Sequence, residues 1–389
     1  MATYPPLDGS GSSAARPDPA PDGGSRGRLG QMVSNVAANW YASVMGTGIV
    51  AIAAATLPQR FSGLHTAATA MWALSAFLLV VLVGFTAAQW RRDPAAARGQ
   101  VADLTKGYFN GAPPVAVLVV GAGTLLYGEA VFGGRAALDI AWVLWFAGTL
   151  AGLVCAAGVL YLLFTGLPVP LDRVTIGWLM CMVPPMVSAA TGALLVPHAA
   201  AGQVRLALLL CCYALFGLSL SVSAIATVLI CYRMSQHKVG PAVTEPTLWI
   251  VLGPLGQSIT AANALGNVAG TAIRAPDSTA LRAFGIVFGA PTWGFATLWA
   301  GLALAITVRT KRSGLPFSLA WWSFTFPLGT YVTATSALAL RTGSDPFRVY
   351  AAALYIALVL IWIRVAALTA YRAWRAGSAS PSGLPDRIA

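Results

Sequence analysis

Ten apolar runs of roughly 18–28 residues, each long enough to cross about 30 Å of hydrocarbon, follow one another along this chain with the charges gathered between them. They fall at 34–57, 66–90, 112–128, 137–165, 174–196, 204–232, 247–269, 280–308, 318–341 and 347–371. Only 9% of the 389 residues are charged, against about 25% in a soluble globular chain. That leaves too little polar surface to cover a water-soluble body of this size. The expectation is an all-α integral membrane protein with ten transmembrane helices in residues 31–375. Two polar tails, 1–30 and 376–389, flank that domain and read as disordered: the first is rich in Pro, Gly, Ser, Ala and Asp and has no apolar core.

The net charge of +12 comes without a basic helix or a nucleic-acid motif, so nucleic acid is not an expected partner. The bilayer is. With ten crossings, sixteen of the 24 Lys and Arg residues lie on the side that carries both tails, seven lie on the other, and Arg364 sits within the last run. The positive-inside rule then puts both termini in the cytoplasm, and the cytoplasmic membrane is the expected location. Cys155, Cys181, Cys211, Cys212 and Cys231 lie in or at the ends of apolar runs without metal-ligand spacing, and read as small packing residues.

The runs alternate in character. Segments one, three, five, seven and nine carry helix-disrupting and small polar residues: Met45–Gly48, Gly111–Pro114, Met182–Gly192, Leu252–Ser258 and Ser323–Thr330. Segments two, four, six and ten are smooth runs of Leu, Val and Ala, while segment eight contains Pro291. A proline within a span frees a carbonyl, which is tolerated only inside protein or beside a watery cavity. The alternation therefore predicts five helical hairpins, with the kinked odd-numbered helices forming a central pore and the smooth ones outside. Simple helix packing by glycine is the competing reading.

None of the twelve acidic residues and none of the three histidines falls near the middle of a run. Asp103, Asp172 and Glu245 read as loop or helix-end charges whose neutralisation leaves function intact. No intramembrane base can activate a Ser or Thr, no metal-ligand cluster is visible, and there is no Walker loop. Hence no catalytic residue, metal or cofactor is expected. A route lined by hydroxyls, amides and backbone dipoles suits anions or neutral solutes better than cations. The lining candidates are Thr47, Gly48, Pro114, Pro185, Ser188, Thr191, Pro254, Gln257, Ser258, Pro327, Gly329, Thr330 and Thr333. Asn39, Tyr41, Ser43, Asn263, Asn267 and Thr325 are further polar positions; for each, hydrogen bonding between helices is the alternative role. Arg364 reads as snorkelling to the interface.

Segment nine sets one bulky ring, Phe326, on a helical face shared with Trp322, Gly329, Thr330 and Thr333. Pro327 leaves the Ser323 carbonyl unpaired in a continuous helix and bends it beside that ring. The ring either projects into the central path or packs between helices.

Trp321–Pro327 (WWSFTFP), preceded by Pro316–Ala320, is similar to the ninth-helix motif of plant guard-cell slow anion channels. Asn39–Ala51, Val183–Ala193 and Leu252–Ser258 resemble the tellurite-resistance/dicarboxylate transporter family, to which those channels and the malate and sulfite transporters belong. The resemblance covers about residues 34–371. It implies five hairpins around a pore, assembly as a homotrimer, and a plug on the ninth helix that matches Phe326. It further implies small anionic substrates: C4-dicarboxylates such as malate, sulfite, tellurite-type oxyanions, chloride or nitrate. LGPLGQS is closer to the sulfite and malate branch, which makes a permease the expectation and a chloride- or nitrate-conducting channel the alternative. The first odd helix departs from the pattern, having glycines where a proline is expected.

Overall fold

The computed structural model describes residues 37–102, 107–166 and 169–378; both tails and Asp103 lie outside these. The described chain is helical, with ten principal helices. Five are short: α1 (Tyr41–Thr56), α3 (Ala112–Tyr127), α5 (Pro184–Leu195), α7 (Leu252–Val268) and α9 (Thr325–Thr342). Five are long, at 29 to 37 residues: α2 (Leu64–Arg92), α4 (Gly134–Thr165), α6 (Gln203–His237), α8 (Asp277–Ser313) and α10 (Asp345–Ser378). Pro291 does not interrupt α8.

Packing separates the two sets. The short helices touch in a closed cycle, α1 on α3, α3 on α5, α5 on α7, α7 on α9 and α9 back on α1. Each long helix lies against the short helix before it and the one after it, α10 closing the series on α9 and α1. Within an 18-residue apolar stretch of each span, 72–94% of the residues are buried in those containing α1, α3, α5 and α7, against only 17–33% in the long helices. Their exposed faces carry Phe77, Val80, Phe146, Leu150, Val154, Val287, Leu298, Ile356 and Leu360. An apolar surface of that extent belongs in lipid.

Among the described residues nine helical stretches are long and apolar enough to cross a membrane, one fewer than the ten expected. The missing one is α9, whose Thr325, Thr330, Thr333, Thr335, Ser336 and Thr342 dilute its apolar character. It sits inside the ring and needs no lipid-facing surface. Thr335 and Thr342 donate to the carbonyls of Tyr331 and Leu338 on their own helix, and Thr325 to that of Trp322 in the turn before it, which satisfies the hydroxyls without water.

The expected proline kinks take a different form. Each inner helix is a fresh start after a short separate turn: Ala38–Trp40, Gly107–Gly111, Trp178–Met182, Ala242–Val251 and Leu319–Phe324, the second to last ten residues of 3₁₀ helix. Pro113 and Pro114, Pro184 and Pro185, Pro254, and Pro327 all fall in the first three positions of the helix that follows. The N–H groups there have no partner within the helix, so proline forfeits nothing, while its ring blocks a helical turn behind it. Pro327 thus begins α9 and does not bend it. α1 reaches the same break without proline, through the 3₁₀ turn at Ala38–Trp40.

The five lead-in turns also touch in a closed cycle, in the same order as the helices they precede. The N-termini of the five inner helices are therefore gathered at one level of the ring, all on one side.

Candidate functional site

The contacts of each inner helix fix which way its side chains point. On α9, Tyr331 shares a hydrogen bond with Thr297 of α8 and stacks on Trp293, whose indole N–H donates to Thr335 at 3.0 Å. Tyr331 and Thr335 thus mark the outward face. At about 100° per residue, Phe326 and Thr333 lie on the opposite face. To one side of them Gly329 abuts Ile49 of α1; to the other, the Thr330 hydroxyl donates to the Leu252 carbonyl of α7 at 3.1 Å. Phe326 therefore points between α1 and α7 toward the middle of the ring, and it is 1% exposed.

The same reasoning orients α7. Asn263 donates to the Gly285 carbonyl of α8, while Gly256 and Thr260 meet Thr330 and Thr333 of α9. Turning further round the helix reaches Gln257 and Ala261, on the inner side. Gln257 is buried and its amide makes no hydrogen bond among the described residues. A turn earlier, Gly253 is buried as well, yet a methyl group added there would meet no atom within 4 Å. Open space lies beside it, within the protein.

Most of the other lining candidates are engaged elsewhere. Thr47 accepts from the Trp362 indole of α10 at 3.0 Å. Gly48 is a close-packing point, where a Cβ would overlap Ser75 and Val119. Ser188 accepts from Thr149 of α4 at 2.9 Å and donates to the Pro184 carbonyl, and Thr191 donates to the Val187 carbonyl. The Ser258 hydroxyl returns to the Leu255 carbonyl. The Pro114 carbonyl lies against Gly148 of α4, so this turn faces an outer helix. Pro185, Pro254 and Pro327 are buried in first turns. Arg364 is exposed on α10, its guanidinium 6.0 Å from the centre of the Trp321 ring.

What remains facing inward is neutral: Phe326 and Thr333 from α9, Gln257 and Gly253 from α7, and apolar Ile49 from α1. The electrostatic character comes from the backbone. Five helix N-termini on one ring turn the positive ends of five dipoles toward the same region, each equivalent to about half a positive charge. Helix N-termini gathered beside groups that are not ionised favour anions over cations.

Sequence reasoning missed one residue. Glu245, read as a loop or helix-end charge, lies in the lead-in turn of α7 and is 3% exposed, a burial that reading did not anticipate. The signal was local: Pro246 follows it, and the apolar TLWIVL begins immediately after.

Residues 35–370 match the family described as voltage-dependent anion channel. A sulfite efflux pump of Arthroderma otae is 28% identical over 346 residues, which is 87% of this chain and 91% of that protein. The sulfite efflux pump of Trichophyton rubrum matches to the same extent, at 28% over 346 residues. An uncharacterised transporter of Methanocaldococcus jannaschii is 26% identical over 334 residues, covering 85% of this chain and 93% of that one. The family match spans the whole ring of inner helices together with the outer helices that brace it, and this chain belongs to the voltage-dependent anion channel family.

Proposed function

We propose that this protein passes small oxyanions of the sulfite or C4-dicarboxylate type through the middle of the inner ring, with the Phe326 side chain closing the path. All ten helices cross the membrane as five hairpins, both termini lie in the cytoplasm, and the gathered helix N-termini face that side. The observation that carries the reading is the inward direction of Phe326 in a ring whose inward groups are otherwise small or neutral. A bulky apolar ring at that position blocks the path, and turning it aside opens space next to Gly253 and Gln257. The Gln257 amide then offers a donor to the passing anion in place of water.

Sulfite is favoured as a substrate by two relatives that are named sulfite efflux pumps and by the resemblance of Leu252–Ser258 to that branch. A chloride- or nitrate-conducting channel is the second reading, favoured by the absence of an ionisable group among the inward residues named above. No catalysis is proposed. Assembly as a homotrimer follows from the resemblance, each subunit carrying its own ring.

Purified protein in liposomes, tested with sulfite, malate, succinate, nitrate and chloride, separates the readings. Sulfite or dicarboxylate flux well above that of protein-free liposomes supports the permease. Large chloride or nitrate currents with no oxyanion flux favour the channel.

A further inference from the structure

Beside the ring lies a cavity of about 280 Å³, between the segment just ahead of the α5 lead-in turn, the lead-in turn of α7 and the end of α6. Its polar lining comes from three elements: Asp172 and Thr175 ahead of α5, Arg233 at the end of α6, and Thr244, Glu245 and Thr247 in the turn before α7. Apolar walls are supplied by Val174, Ile176, Met234 and Leu248, among others.

Three buried polar atoms around this one space lack a hydrogen-bond partner: Glu245 Oε1, Thr175 Oγ1 and Arg233 Nε. They are three of only ten such atoms among the described residues, so the concentration is local. Arg233 is half-buried and uses Nη1 on the Lys238 carbonyl, and no ion pair within 4 Å joins it to Glu245 among the described residues. A buried carboxyl oxygen without a hydrogen-bond partner is unfavourable. The space between it and the guanidinium is therefore suited to an occupant that serves both.

The occupant's chemistry follows from the charges that face the cavity. A bare cation meets the Arg233 guanidinium. A dianion meets the carboxylates of Glu245 and, at the exposed rim, Asp172. Chloride and nitrate satisfy Arg233 but bring no donor to Glu245. A singly ionised oxyanion that still carries an O–H group matches all sides. Its charged oxygens accept from Arg233 and from the Thr175 hydroxyl, and its O–H donates to Glu245.

We propose that this cavity is a binding site for the half-ionised form of the oxyanion, hydrogensulfite or a hydrogen dicarboxylate, and that Glu245 selects it against the dianion. The choice of ligand rests on the proposed function, but the site stands on its own geometry. Such a site lets the protein sense or capture substrate at the turns that precede two inner helices.

The test is calorimetric titration of sulfite into the purified full chain, from mildly acidic to mildly alkaline pH, for wild type, Glu245→Gln and Arg233→Gln. Sulfite passes from monoanion to dianion across that range. Wild-type affinity is expected to fall as pH rises, in step with the loss of hydrogensulfite. Glu245→Gln removes the repulsion while keeping an acceptor oxygen, so its affinity is expected to change far less with pH. Arg233→Gln is expected to weaken binding about tenfold at every pH, the equivalent of about 1.4 kcal/mol. A pH profile in folded Glu245→Gln identical to wild type, or no sulfite binding by wild type, overturns the site. Sulfite flux in liposomes is measured separately: binding without flux overturns the proposed function alone, and flux without the Glu245-dependent profile overturns this inference alone.

Discussion

The Thr330 hydroxyl of α9 donates to the Leu252 carbonyl of α7 at 3.1 Å, and also to the Pro327 carbonyl in its own first turn at 2.7 Å. One side chain thus ties together the starts of two adjacent inner helices, one turn above Phe326. The ring cannot turn far about the α9 axis while that tie holds. Replacing Thr330 by Val keeps the shape and removes the donor, at the cost of about 0.5–1.5 kcal/mol that a single hydrogen bond contributes. Thermal unfolding in detergent is expected to show a lower midpoint for Thr330→Val. An unchanged midpoint means that the tie is replaceable.

Two glycines of α7, three residues apart, are expected to respond in opposite ways. A Cβ on Gly256 would lie 2.6 Å from the Thr330 backbone, whereas one on Gly253 would meet nothing within 4 Å. Gly256→Ala should therefore reduce folded yield, because neither backbone can retreat. Gly253→Leu should fold, fill the space beside it and lower anion flux. Size-exclusion yield and liposome flux, measured on both variants, check the pair. A Gly253→Leu protein with undiminished flux places the path elsewhere.

The orientation follows from the charge asymmetry of the loops. A reporter active only outside the cytoplasm, fused after residue 389, is expected to remain silent. A strong signal would remove either the tenth crossing or the cytoplasmic assignment.

The alternation of broken and smooth runs in the sequence carries over into short buried helices and long, largely exposed ones, because proline position and apolar length are local properties. The span of α9 was legible by length but not by apolarity, since its threonines bond within the ring. The form of the breaks was not legible: proline in the middle of an apolar run reads as a kink, and only the lead-in turns make it a first-turn residue. The direction of individual hydroxyls was legible least. Thr47, Ser188 and Thr191 share motifs with inward residues, but their rotation depends on where the outer helices α10 and α4 come to rest. For Phe326 the 3.6-residue period gave the face it shares with Gly329, Thr330 and Thr333, but not whether that face meets the path or a neighbouring helix. Glu245 lines a cavity together with Thr175, about seventy residues away in sequence, a neighbourhood that only the fold creates.

The central claim is that the Phe326 ring closes the path, and flux through Phe326→Ala in liposomes tests it most directly. Trp322, one turn earlier, is the control: its indole donates to Thr369 of α10 at 3.2 Å and its ring lies against Gly46, which makes it a packing residue. A Phe that merely packs a core costs about 3–5 kcal/mol when cut to Ala, and flux then falls with folded yield. If the ring is a plug, anion flux per folded molecule rises in Phe326→Ala and does not rise in Trp322→Ala. Well-folded Phe326→Ala protein with flux equal to or below wild type would contradict the account.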